Sequence, residues 1–188
     1  MKKEFIEREI APVMLEMHRY FPVITMTGPR QSGKTTLLRH VFNKLPYYSL
    51  ENLDVRRFAL NDPVGFLTRH PEGMILDEVQ HTPDLLSYIQ GMVDENPDKR
   101  FILSGSSQFS VIKQITQSLA GRTGVLELLP LSYSEVKKQA NEKELDNVLL
   151  SGFFPALYAG KNIPGLLYPS YVKTYLERDV RDLMQIKD

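Results

Sequence analysis

The chain has 188 residues, 42% of them hydrophobic, and its 23 Lys+Arg are balanced by 23 Asp+Glu. That size accommodates one good core with a small appendage. The balance gives no support to a globally basic surface that coats nucleic acid, though a local basic patch stays open. No cysteine is present, which excludes disulfides, thiolate zinc sites and a cysteine nucleophile. The histidines His18, His40, His70 and His81 are scattered without metal-ligand spacing. Acidic residues follow Met1–Phe5 closely, where a signal peptide would carry an apolar run. No segment approaches membrane-spanning length, so a soluble cytoplasmic protein is expected.

In chain order, Phe5, Ile6, Ile10, Val13, Met14 and Met17 fall near one side at helical spacing. Residues 4–20 therefore read as a helix, with Pro12 splitting or kinking it. Val23–Thr27 is an apolar strand. Directly behind it runs Gly28-Pro29-Arg30-Gln31-Ser32-Gly33-Lys34-Thr35-Thr36, which is G-x-x-x-x-G-K-T between a strand and a helix. Glycines let such a loop turn its backbone N–H groups onto a phosphate. The following helix adds the positive end of its dipole, and Lys34 adds a full charge. Thr35 offers a hydroxyl to magnesium. Arg30 occupies a variable position of the pattern, which suits a structural role or a surface charge. The segment reads as a nucleoside triphosphate site.

Tyr47–Leu50 is a second strand, and residues 54–60 and 63–70 read as short helices. Gly73–Leu76 is a third strand that runs into Asp77-Glu78. Pro83 opens a helix through Val93. Phe101–Ser104 and Val125–Leu129 complete five strands. Strands alternating with helices imply a parallel sheet covered on both faces. After Pro130 the pattern turns helical, over 133–140, 144–150 and 168–186. That divides the chain into a nucleotide-binding core (1–130) and a helical subdomain (131–188). Val172, Leu176, Val180 and Leu183 form an apolar stripe on the last helix. The stripe either docks that helix on its own domain or leads into a longer protein, and the second reading is favoured.

A phosphate loop binds, and hydrolysis needs further groups in line with the terminal phosphate. Asp77, at the end of an apolar strand, is placed to hold magnesium. Glu78, beside it, is placed to orient and deprotonate the attacking water. Ser106 and Ser107, after the fourth strand, either sense the terminal phosphate or cap the next helix. Arg122 precedes the fifth strand. It either stabilises charge on the transferring phosphate, in its own site or a neighbour's, or forms a structural ion pair. Arg178 and Arg181 sit among acids on the last helix and suit a solvated face better than a sensor. No Asn-Lys-x-Asp sequence occurs, which favours ATP over GTP.

The segments Gly28–Thr36, Met74–Gln80, Ser104–Ser107, Leu119–Thr123 and Tyr175–Asp179 occur together and in this order. In this the chain resembles the prokaryotic AAA+-type ATPases that join an ATPase core to a C-terminal domain of unknown function, nuclease-like in fold. The resemblance implies an α/β P-loop NTPase fold, with a parallel five-stranded sheet in the order 5-1-4-3-2 and a C-terminal helical lid. It implies ATP and Mg2+ as ligands. It also implies that this chain is the N-terminal part, with a protein or nucleic-acid partner reached through a further C-terminal domain. Proteins similar to this one tend to carry Gly-Gly-aromatic-Pro in the lid, where this chain has Gly152-Phe153-Phe154-Pro155. In related signalling ATPases such a proline touches adenine, a role the resemblance extends to Pro155.

Three functions compete: an ATPase that drives lid and effector-domain movement, a nucleotide-occupied switch with negligible turnover, and a small-molecule kinase. The kinase would need an acceptor pocket that the sequence does not identify, and Glu78 next to Asp77 suits water activation better. A homo-oligomer is required if Arg122 acts across subunits.

Overall fold

The protein is described by a computed structural model covering residues 5–105, 117–139, 145–160 and 163–176. Its sheet is made of β1 (Val23–Thr27), β2 (Tyr47–Ser49), β3 (Gly73–Asp77), β4 (Arg100–Ser104) and β5 (Thr123–Glu127). All neighbouring strands pair in parallel, in the order β2-β3-β4-β1-β5. Read from the other edge, this is the expected 5-1-4-3-2. The central strands β1 and β3 are buried at every position, as a parallel sheet covered on both faces requires. Neither strand alternates buried with exposed residues: Thr25 and Thr27 are buried along with Val23, Ile24 and Met26, and Asp77 along with Met74, Ile75 and Leu76.

The helices around the sheet are α1 (Ala11–Tyr20), α2 (Lys34–Val41), α3 (Leu53–Asn61), α4 (Pro63–Thr68) and α5 (Leu85–Glu95). Pro12 does not kink a longer helix, as the sequence suggested. It lies at the start of α1, where a missing N–H breaks no hydrogen bond and a fixed φ is an advantage. The Asn52 side chain caps α3 by accepting from the N–H groups of Asp54 and Val55, and Asp62 caps α4 by accepting from Gly65. The largest buried side chains include Phe66, Phe101, Met74 and Leu76. Phe66 takes Tyr48 and Phe58 edge-on, with ring centroids 5.3 and 5.4 Å away.

By their contacts the residues fall into two units. Arg8–Pro29 with Gly33–Leu129 make the sheet unit, and Met1–Glu7, Arg30–Ser32 and Pro130–Asp188 make the other. The second unit packs Ile6, Leu131, Val136 and Val148 together, with Phe153 and Tyr158 against them. Its helix Tyr133–Gln139 opens on a capping box. Ser132 Oγ accepts from the Glu135 N–H at 3.1 Å, and Glu135 Oε2 accepts from the Ser132 N–H at 2.8 Å. The helix Leu145–Ser151 ends at Gly152, whose φ is +77°. Helices Pro155–Tyr158 and Pro164–Tyr171 follow, and a single π turn continues over Val172–Leu176. The last helix thus begins four residues earlier than the sequence suggested. Of its expected stripe, Val172 is exposed. Val180 and Leu183 lie outside the described residues. Among the described residues no helix is long and apolar enough to cross a membrane.

Candidate active site

Strand register decides which residues can meet. In a parallel sheet all carboxyl ends lie along one edge, and ligands bind there. Met26 pairs with Ser104 and Leu76 with Leu103, so the ends of β1, β3 and β4 converge. Three predicted or neighbouring elements follow from that edge: the loop after β1, the acids ending β3, and the polar end of β4.

The loop after β1 turns through three unusual backbone positions. Gly28 has φ +143°, Gln31 +63° and Gly33 +98°. A side chain on Gly28 would put its Cβ 2.2 Å from the Leu128 carbonyl oxygen, so glycine is required there. Gly33 leads into α2, leaving the helix's first N–H groups facing the loop. Lys34 is buried and donates from Nζ to the carbonyls of Gly28 (2.8 Å) and Pro29 (3.0 Å). Its ammonium is therefore held inside the curve of the loop. Ser32 is fully buried, whereas Gln31 and Thr36 are exposed. Arg30 is not a free surface charge. Its guanidinium stacks over the Tyr175 ring, 5.2 Å from the centroid, and its carbonyl accepts from the Tyr171 hydroxyl at 3.4 Å. Tyr171 packs against both Tyr175 and Phe154, with ring centroids 5.2 and 4.9 Å away.

The Asp77 carboxylate is the hub of the site and is buried. Oδ2 accepts from Thr35 Oγ1 and from the Tyr47 hydroxyl, each at 2.7 Å. Oδ1 accepts from the Glu78 N–H at 3.1 Å and from Ser104 Oγ. Four donors on one carboxylate fix its plane. Burial, and then the hydrogen bond to Asp77, push the Tyr47 hydroxyl well above its usual pKa. Arg39 lies over the Tyr47 ring at 4.9 Å. Neither Tyr47 nor Ser104 stood out from the sequence as a partner of Asp77. The available signal for Ser104 was that a polar residue ends β4 beside β3, whereas Tyr47 begins β2 and carried no such signal.

Glu78 leaves the strand in the left-handed region, with φ +60° and ψ +47°, a conformation rare for a residue with a side chain. A 3-10 turn, Val79–His81, follows at once. Gln80 returns to donate from Nε2 to Glu78 Oε2.

Arg122 does not join this site within its own chain. Thr123 pairs with Val23, so Arg122 stands at the amino edge of the sheet, opposite the phosphate loop. It makes a two-pronged ion pair with Asp94, 2.6 and 2.8 Å long, at the exposed surface. The ion-pair reading of the sequence applies, and the own-site reading is corrected by the direction of the strand. Pro155 begins a four-residue helix in the other unit. Phe153, which replaces a glycine of similar lids, has no positive φ, so the backbone there does not demand glycine. Ser106, Ser107 and Arg178 lie outside the described residues.

Thr35 and Asp77 supply a hydroxyl and a carboxylate within hydrogen-bonding distance of each other. Oxygen donors of this kind suit Mg2+, which keeps most of its waters and uses few protein ligands. Among the described residues there is no cluster of three or more His, Cys, Asp or Glu able to hold a metal.

The same architecture recurs in solved structures. The Walker-type ATPase of Pyrococcus abyssi is similar over 99% of this chain and 77% of its own, with a TM-score of 0.59 and 16% identity. A signal transduction ATPase with numerous domains from Pyrococcus horikoshii is similar over 76% of this chain and 26% of its own, with a TM-score of 0.50 and 16% identity. At those identities the likeness concerns the fold. In sequence, an uncharacterised protein of Mycobacterium tuberculosis is 35% identical over 185 residues, covering 95% of this chain. One from Methanocaldococcus jannaschii is 24% identical over 86% of it. The chain spans 41% and 42% of the lengths of these relatives. The AAA domain family matches residues 20–137, a span holding the phosphate loop, Asp77, Glu78 and all five strands, and the chain therefore belongs to the AAA family of P-loop ATPase domains.

Proposed function

We propose that this chain binds Mg-ATP and hydrolyses it, with Glu78 activating the water. The observation that carries the reading is the 2.7 Å contact between Thr35 and Asp77. It joins the loop that would hold the phosphates to the acid that would hold the metal. In this reading Thr35 and Asp77 position Mg2+, which neutralises charge building on the phosphate oxygens. Lys34 exchanges the Gly28 and Pro29 carbonyls for phosphate oxygens, while the loop's N–H groups and the start of α2 cradle the nucleotide. Glu78 takes a proton from the attacking water.

The same reading makes residues 1–130 the motor and residues 131–188 a lid that responds to nucleotide state. Pro155 would contact the adenine, and Ser106 or Ser107 would sense the terminal phosphate. Arg122 would serve only a neighbouring molecule's site, which requires a homo-oligomer. A protein or nucleic-acid partner would be reached through a further domain of the whole protein. Phosphate release by the whole protein, wild type against Glu78→Gln, tests the chemistry. A loss of about 100-fold or more is expected for removal of a general base. Equal rates would remove Glu78 from the mechanism.

A further inference from the structure

The turn after Asp77-Glu78 contains a group to which neither the fold nor the family match gives a task. We propose that Gln80 is a positioning residue that holds the Glu78 carboxylate in the orientation needed to take a proton from water. The inference rests on the water-activating role of Glu78.

The argument starts at the backbone. Glu78 adopts a left-handed conformation, which ends β3 abruptly and bends the chain back. The Val79–His81 turn is closed by His81 N–H donating to the Glu78 carbonyl at 3.1 Å and Thr82 N–H to the Val79 carbonyl at 3.0 Å. Val79 is buried in the main core and Thr82 is buried below the turn. The turn is therefore pinned on both sides of Gln80. This places the Gln80 amide against the Glu78 carboxylate, with Nε2 donating to Oε2.

The chemistry of that bond is specific. A carboxylate only accepts, so the bonding atom of the amide is its nitrogen. The bond engages Oε2 and leaves Oε1 for a proton. A neutral amide orients the carboxylate without placing a charge beside it. The other end of the amide, Gln80 Oε1, is buried with no hydrogen-bond partner among the described residues. Buried polar atoms are rarely left so.

The test is a double-mutant cycle in the whole protein, with phosphate release, ATP affinity and melting temperature read for each variant. Gln80→Met keeps the length of the side chain and removes the donor, and Gln80→Asn keeps the amide but draws it back. Displacing a reacting group by about 1 Å costs up to roughly 100-fold, so kcat should fall about 10- to 100-fold in both variants. ATP affinity and KM should stay within about twofold, because the bond touches no phosphate-binding group. In a Glu78→Gln background neither substitution should lower the rate further. Wild-type kcat in both variants, an equal further loss in the Glu78→Gln background, or a loss confined to KM would overturn the proposal. A Glu78→Gln protein at the wild-type rate would overturn it together with the water-activating role. Loss in Glu78→Gln with none in the Gln80 variants would overturn it alone. Should Gln80→Met not fold, Gln80→Asn decides between the same outcomes.

Discussion

Thr35 and Asp77, 42 positions apart in sequence, meet with the Thr35 hydroxyl donating to Asp77 Oδ2 at 2.7 Å. The contact exists because β1 and β3 both end at the same edge of the sheet, one strand apart. The Tyr47 hydroxyl, Ser104 Oγ and the Glu78 N–H donate to the same carboxylate.

Asp77→Asn should keep the fold and remove the carboxylate proposed to hold Mg2+. An asparagine cannot place its NH2 on the Oδ1 side, where the fixed Glu78 N–H would face it. It would therefore replace Oδ2, where the Thr35 and Tyr47 hydroxyls can rotate to accept. The expected cost in stability is about 0.5–1.5 kcal/mol, the net worth of an ordinary hydrogen bond. The magnesium dependence of nucleotide binding should disappear, which titration with and without Mg2+ measures.

Lys34→Ala should weaken nucleotide binding without unfolding the protein. The Gly28 carbonyl it leaves is buried and the Pro29 carbonyl part-buried, so a modest loss of stability accompanies the substitution. Hydrogen bonds to a charged group contribute about 1.5–3 kcal/mol, roughly a ten- to hundredfold loss of affinity. Calorimetric titration with ATP checks the affinity, and a melting curve checks the fold.

Gly28→Ala should damage fold and function together. The new Cβ would lie 2.2 Å from the Leu128 carbonyl oxygen, and φ at this position is +143°. The combination of overlap and strain should cost more than about 1 kcal/mol, seen as a lowered denaturant midpoint.

Two titrations should shape stability against pH. Tyr47 has its pKa raised above the ordinary 10.0, chiefly by burial. The folded state keeps its proton when the unfolded chain loses it. Its contribution is therefore full below about pH 10 and lost as pH rises beyond that. Tyr47→Phe should flatten this alkaline decline in chemical unfolding curves. His18, packed edge-on to Phe42 at 4.8 Å, has its pKa lowered from 6.5, again chiefly by burial. Its contribution is full above pH 6.5 and is lost as pH falls below it. A His18→Phe variant should lack that acidic slope.

Arg122→Ala should leave the melting curve and the phosphate release of a dilute monomer unchanged, because its ion pair with Asp94 is exposed and lies away from the loop. A loss that develops only on assembly, followed by phosphate release against protein concentration, would assign Arg122 to a neighbouring site.

The sheet was largely legible in the sequence, for a physical reason. Strands such as Val23–Thr27 and Gly73–Asp77 are buried on both faces, so adjacent apolar residues such as Val23-Ile24 and Met74-Ile75-Leu76 mark them. The phosphate loop was legible because its geometry demands Gly28 and Gly33 at a fixed spacing. Pro12 was ambiguous, since a proline in a helical pattern is equally a breaker and a first-turn residue. The Tyr47–Asp77 contact depends on which strand lies beside β3, and local pattern does not encode neighbours. Arg122 carried a clue that its residue type obscured. A residue just before a parallel strand belongs to the edge opposite the ligand.

The closeness of Gly28 to Leu128 has a mechanical meaning as well. Leu128 donates its N–H to Thr27 at 2.8 Å, and its carbonyl blocks the space beside Gly28. Leu128 is also two residues before Pro130, where the second contact unit resumes. A side chain at Gly28 therefore cannot be accommodated unless Leu128, and with it the hydrogen bond to Thr27, gives way.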